Sequence, residues 1–223
     1  SIDTGATTTT QLLHFGAAKG PGGLTIAFNM GRLQVTFQTK DGKLYDAKTG
    51  QLMLQLWMNV RVVYQKDQQL VVLLDGQKVA TQTVSRVVTP AIATKGYWRV
   101  KLGGTSNGGL RYRFDTLHFS NRPLTAAEAR DNGPIAMNSI PFESLKKTGS
   151  QVQIPHSSLN VQLHGNPMIY PGKVDKAIYL EASQKQCLQI QYKSLCVGVV
   201  ARCQTGLTIR MWLRPKSFAP NVQ

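Results

Sequence analysis

The sequence predicts an all-β protein, a two-sheet antiparallel sandwich, and three observations carry that expectation. First, Trp57 to Gln82 reads WMNVRVVYQKDQQLVVLLDGQKVATQ, with Val60, Val62 and Tyr64 on one face and Asn59, Arg61 and Gln65 on the other. Its second apolar run, Leu70 to Leu74, closes on Asp75-Gly76, a strong two-residue hairpin signal, and strand residues resume at Val79. Second, short alternating runs recur along the chain between glycine-rich punctuation. Third, 42% hydrophobic residues with 20 Gly and 10 Pro fit a packed, turn-rich protein, and the pattern is helical only at 124–131.

The elements follow in order. Ser1 to Thr10 is Thr-rich and extended, and Gln11 to Gly16 is a strand ended by glycine. Leu24–Phe28 and Leu33–Phe37 alternate with period two about a turn at Met30-Gly31-Arg32. The segment KDGKLYDAKTG reads as turns, and the three-stranded meander follows it. Residues 97–102 and 110–119 are two further strands separated by GGTSNGG. A short helix is predicted near 124–131, with Thr125 as cap and Glu128 three residues on as its capping-box partner. Composition changes at Asp131-Asn132-Gly133-Pro134, and residues 135–175 read as loop-rich. Strands return at Lys173–Leu180, Leu188–Ile190 and Gly206–Pro215.

Four of these stretches resemble laminin-G-like domains of the concanavalin A-like lectin/glucanase superfamily. The Trp57 strand ending in Tyr64 and the strand closing on Asp75-Gly76 are similar to the family's core. Arg113 to Glu128 (RFDTLHFSNRPLTAAE) resembles its closing strand and following turn of helix. Gly172 to Leu180 is similar to its opening strand, although Asp175 or Lys176 stands where a second glycine is expected. GLTIRMWLRP, Gly206 to Pro215, resembles the family's Trp-containing strand. The order is inverted, since the 172–215 type of segment normally precedes the 11–131 type. The resemblance therefore implies a C-terminal-type part over 1–131, a connection over 132–171 and N-terminal-type strands over 172–223. Two arrangements follow: a window across tandem repeats, or one permuted jelly-roll sandwich. Complementarity favours the second, because either half alone leaves sheet edges and apolar faces uncovered.

Charge narrows the function. The 26 Lys and Arg against 11 Asp and Glu give a net +15, which predicts attraction to polyanions. The basic residues are dispersed and no nucleic-acid motif is present, so nucleic acid is not expected. Arg61, Arg99, Lys101, Arg111, Arg113, Arg210 and Arg214 occupy alternate strand positions, which predicts a basic platform if the strands share a sheet. At least two of Trp57, Trp98 and Trp212 are expected in the core. The three Glu (Glu128, Glu143, Glu181) form no E-x-D-x-x-E pattern, and no nucleophile or phosphate-loop motif occurs, so no enzyme is expected.

Cys187, Cys196 and Cys203 lie in one short segment, and one disulfide is expected, Cys196–Cys203 or Cys187–Cys203. Without C-x-x-C and with scattered histidines, zinc is not expected. The resemblance implies calcium in some relatives, but no D-x-D cluster singles out ligands. It places Asp115 at a structural position. No apolar stretch is long enough to span a membrane, so no membrane insertion is expected, and SIDTGATTTT is no signal peptide. Together these imply a secreted, non-catalytic adhesion domain for acidic or sulfated glycans or acidic matrix proteins. The alternatives are a structural matrix protein on chitin or calcium carbonate mineral, and a neutral-glycan lectin.

Overall fold

The computed structural model describes residues 9–17, 23–38, 42–66, 68–84, 98–103, 110–120, 122–123, 125, 128, 138–140, 142, 146–148, 151–153, 160–174, 176–192 and 206–217. In chain order the first strands are β1 (Thr9–Ala17), β2 (Gly23–Asn29), β3 (Arg32–Gln38), β4 (Leu44–Gln51), β5 (Met58–Gln65), β6 (Gln69–Leu74), β7 (Gln77–Thr83), β8 (Trp98–Leu102) and β9 (Arg111–Ser120). There follow β10 (Asn138–Ile140), β11 (Lys146–Thr148), β12 (Gln151–Gln153), β13 (Asn160–His164), β14 (Met168–Pro171), β15 (Lys176–Glu181), β16 (Cys187–Tyr192) and β17 (Gly206–Ser217).

These strands make two antiparallel sheets. A nine-stranded sheet runs β11-β12-β13-β16-β8-β1-β2-β3-β4, and an eight-stranded sheet runs β14-β15-β9-β17-β5-β6-β7 with β10 also on β9. Strands from late in the chain lie inside both: β17 sits between β9 and β5, and β16 sits between β13 and β8.

Alternation explains which side of each strand is buried. Met58, Val60, Val62 and Tyr64 of β5 point inward, as do Tyr112, Phe114, Leu117 and Phe119 of β9 and Leu207, Ile209, Met211 and Leu213 of β17. The nine-stranded sheet answers with Leu24, Ile26 and Phe28, Leu33, Val35 and Phe37, and Leu188 and Ile190. Aromatic pairs join the layers: Phe15 meets Phe119 edge-on at 5.3 Å, and Phe37 stacks on Tyr64 at 5.0 Å. Among the described residues the Tyr112 hydroxyl is fully buried with no hydrogen-bond partner, and burial holds this phenol well above its usual pKa range. In β1 a register shift between Gln11 and Leu13 lets the consecutive Leu12 and Leu13 both reach full burial.

Turn chemistry sets two registers. Asp75-Gly76 and Met30-Gly31 are two-residue hairpin loops with both central φ positive, at 50° and 84° and at 49° and 81°. Asp75 is held further, because its Oδ1 accepts the Asn59 amide at 2.8 Å. Gly206, at φ 143°, allows β17 to start against the Tyr64 carbonyl, which a Cβ would meet at 2.1 Å.

Several expectations need correction. KDGKLYDAKTG is not all turn: from Leu44 onward it is β4, with Tyr45, Ala47 and Thr49 buried and Lys48 exposed. Asp, Ala, Lys and Gly depress strand propensity, but β4 is an edge strand, where such residues guard against further pairing. The region 135–175 is not simply loop, since it holds the short strands β10 to β14. Of the predicted helix at 124–131, Thr125 and Glu128 are described, and they make the reciprocal bonds of a capping box. The Thr125 amide donates to Glu128 Oε2 at 2.9 Å, and the Glu128 amide donates to Thr125 Oγ1 at 3.3 Å.

Candidate cationic ligand face

The seven basic residues do not form one platform. Arg99 and Lys101 belong to β8 in the nine-stranded sheet, whereas Arg61, Arg111, Arg113, Arg210 and Arg214 belong to the eight-stranded one. The Arg99 side chain lies outside the described residues.

Within the eight-stranded sheet the outer face divides in two. On β5 and the first half of β17 it is covered. Arg61 is fully buried, donating from Nε to Asn59 Oδ1 at 2.8 Å and from Nη1 to the Glu128 carbonyl at 2.7 Å. Arg210, also buried, stands opposite both Arg61 and His118. Thr208 Oγ1 donates to the Arg122 carbonyl at 2.8 Å, so both the Arg122 and the Glu128 backbone are fastened to this half. Arg122 in turn pairs with the Glu128 carboxylate, and that guanidinium holds the carboxyl down to about 2. Val63, Val71 and Leu73 make a small second apolar cluster on the same side. Arg61 and Arg210 are therefore buried within the covered half and not available to the ligand platform expected of them. Alternation gives the face of a strand but not what covers that face.

The other half, over β14, β15, β9 and the end of β17, is uncovered and alternates cations with rings. Arg113 on β9 lies directly opposite Arg214 on β17 and Tyr179 on β15. Its guanidinium sits 4.7 Å from the Tyr170 ring centre and bonds the Pro171 carbonyl at 3.3 Å. Tyr170 packs edge-on against Tyr179 at 5.5 Å, and the Lys216 ammonium lies 5.8 Å from the Tyr179 ring. The Lys173 ammonium lies 5.6 Å from the ring of Trp212. Arg214 donates from Nε to the Gln55 carbonyl at 2.8 Å, and Arg111 pairs with Glu181 at 3.2 Å. Lys173, Lys216, Tyr170 and Tyr179 were missed from sequence. Lys216 could have been found, since it continues the outward series Arg210, Trp212, Arg214 on β17. At least two of the three tryptophans are expected in the core, but Trp212 is half-buried on this outer face and Trp57 is half-buried before β5, so that expectation is not met. The Trp98 side chain lies outside the described residues.

One buried carboxylate positions this half. Asp115 is fully buried at a bulge in β9, where Thr116 takes φ 45° and β17 slips register. Its Oδ2 accepts the Lys173 and Val174 amides at 2.6 and 2.8 Å, and its Oδ1 accepts Thr116 Oγ1 at 2.7 Å. Those bonds fix the turn that carries Lys173. Gly172 fits because a Cβ there would meet Asp115 Oδ2 at 2.5 Å. Asp115 is thus filled by donors, and among the described residues no three His, Cys, Asp or Glu side chains gather to hold a metal.

The outer face of the nine-stranded sheet is different in kind. Register aligns Gln162, Gln189, Lys101, His14, Thr25, Thr36 and Asp46 in one row across seven strands. Neighbours in it bond each other, His14 Nδ1 to Thr25 Oγ1 at 2.9 Å and Thr36 Oγ1 to Asp46 Oδ1 at 2.5 Å. Burial, then the Lys101 charge, lowers the His14 pKa. At the head of β16, Cys187 is a free, buried thiol, raised in pKa by burial. A Cys187–Cys203 disulfide is therefore not the pairing in this structure, because Cys187 is taken into the sandwich. Cys196 and Cys203 lie outside the described residues.

These features define a two-sheet β-sandwich with one polar face and one face that is half cationic and aromatic. Compared with known protein families, curated proteins and solved structures, the chain matches none.

Proposed function

We propose that this is a non-catalytic binding domain of laminin-G-like type that takes acidic glycans, sulfated or carboxylated, on the uncovered half of the eight-stranded sheet. The observation that carries the reading is the direct opposition of Arg113 and Arg214 across β9 and β17. Like charges placed opposite one another destabilise a sheet. The Arg61–Arg210 pair is buried and held by the Asn59 side chain and the Glu128 carbonyl. Arg113 and Arg214, in contrast, are part-exposed and, among the described residues, in no salt bridge, which favours an anion there. Lys173 and Lys216 add to the same field. On these strands the carboxylates among the described residues are already engaged, Glu181 by Arg111 and Asp115 by backbone amides. The half-buried rings of Tyr170 and Trp212 supply apolar faces on which a sugar ring can stack. Guanidinium forks match sulfate and carboxylate oxygens in pairs. A secreted, matrix-associated setting is the one in which such glycans are met.

The test is calorimetric titration of the full chain with a sulfated polysaccharide over a salt series, beside Arg113→Ser/Lys216→Ser. The double variant is expected to melt within a few degrees of the parent, bind about tenfold more weakly and lose part of the salt dependence. Unchanged affinity at every salt concentration in a folded variant would remove this face as the site.

A further inference from the structure

The rim joining the two sheets beyond β4 carries an apolar tip that the glycan reading does not use. Met30 is 70% exposed, Met53 69% and Leu56 52%. Two backbone bonds hold them to this rim: the Leu52 amide donates to the Gly31 carbonyl at 2.8 Å, and the Gln55 amide donates to the Pro215 carbonyl at 2.7 Å. The loop LMLQLW, Leu52 to Trp57, thereby spans from the tip of the β2–β3 hairpin to the end of β17. Met30 occupies a left-handed hairpin position, φ 49°, where Asn, Asp or Gly is favoured. An apolar side chain is placed there against both turn preference and solvent.

Cations flank the tip on both sides. Arg32 is exposed at the start of β3, next to the hairpin, and Arg214 bonds the Gln55 carbonyl inside the loop. We infer that this rim docks shallowly on an anionic phospholipid surface, with Met30, Met53 and Leu56 entering the interface and Arg32 meeting headgroups, while Arg214 holds the loop through the Gln55 carbonyl. The geometry favours lipid over a second copy of the chain. Three exposed side chains on this rim fall well short of the roughly 800 Å² per partner of a stable protein interface. A chain of net charge +15 repels its own copy but is drawn to an anionic leaflet. The absence of a spanning stretch does not bear on this, since a rim loop docks without crossing.

Co-sedimentation with vesicles decides it, using phosphatidylcholine alone and phosphatidylcholine containing phosphatidylserine. The full chain is expected on the second vesicles and not the first. Met53→Ser/Leu56→Ser, at exposed positions that leave melting unchanged, is expected to lower partitioning about tenfold or more. Arg113→Ser, on the neighbouring face, should keep vesicle binding, which separates this site from the glycan face. Equal partitioning of the loop variant and the parent would overturn the inference. So would a concentration-dependent dimer, seen by sedimentation velocity without lipid, that the loop variant abolishes.

Discussion

The covered and uncovered halves of one sheet face use the same residue for opposite ends. Arg61 and Arg111 both occupy outward positions on strands of the eight-stranded sheet, yet one is fully buried and the other has a side chain 52% exposed. Arg61 donates to Asn59 and to the Glu128 carbonyl, fixing the Glu128 backbone over the sheet. Arg111 faces water with a screened partner. A basic residue at an alternating strand position is therefore structural or available according to what crosses above it, and charge alone does not tell which.

The sharpest way to break that comparison is to truncate each arginine. Arg61→Ala should cost about 3 kcal/mol, because it strands a buried carbonyl and side-chain amide and opens a void. Arg111→Ala should stay within about 0.5 kcal/mol, as an exposed ion pair does. Urea unfolding of both variants measures the difference, and equal losses would mean that the cover does not distinguish the halves.

Asp115→Ala comes next, at about 2 kcal/mol, since two turn amides lose a charged acceptor. It also sharpens the comparison, because it frees the turn holding Lys173 and so should weaken polysaccharide binding. Arg61→Ala should leave binding by the folded fraction near the parent value. Calorimetry on both variants below their melting temperatures separates the two outcomes.

A smaller effect distinguishes the faces by pH. His14 lies on the outer face of the nine-stranded sheet and His118 on the covered half of the other, and burial lowers the pKa of both, aided by Lys101 and by Arg210 respectively, with Asp115 opposing at His118. Protonation is then easier in the unfolded chain. Their contribution is complete above about pH 6.5 and is lost as pH falls below it. Melting temperature should drop by a few degrees between neutral and mildly acidic buffer, and His14→Gln and His118→Gln should each flatten part of that slope. A melting temperature unaffected by pH in the parent would contradict the burial of both imidazoles.

Much of the architecture was legible in the chain. The inward series Val60, Val62, Tyr64, the Asp75-Gly76 turn and the Thr125–Glu128 capping box all depend on residues close in sequence, and local chemistry decides them. The burial of Arg61 was not legible, because its partner Glu128 is 67 positions away and alternation carries no information about covering segments. β4 was missed because its composition suits an edge and not a central strand. Half of the cationic face was missed for a related reason: Tyr170 sits in a stretch that reads as loop-rich and is gathered by register with β15 and β9, and Lys173, at the start of an expected strand, is placed by Asp115, 58 positions away.

The claim that only one face receives an anionic ligand is tested most directly by lysine acetylation of the full chain, with and without a sulfated polysaccharide, read residue by residue by mass spectrometry. Protection is expected at Lys173 and Lys216 on the eight-stranded sheet, with Lys101 on the nine-stranded sheet unchanged. Protection of Lys101 with Lys173 and Lys216 still fully reactive would place the ligand on the opposite face and contradict the account.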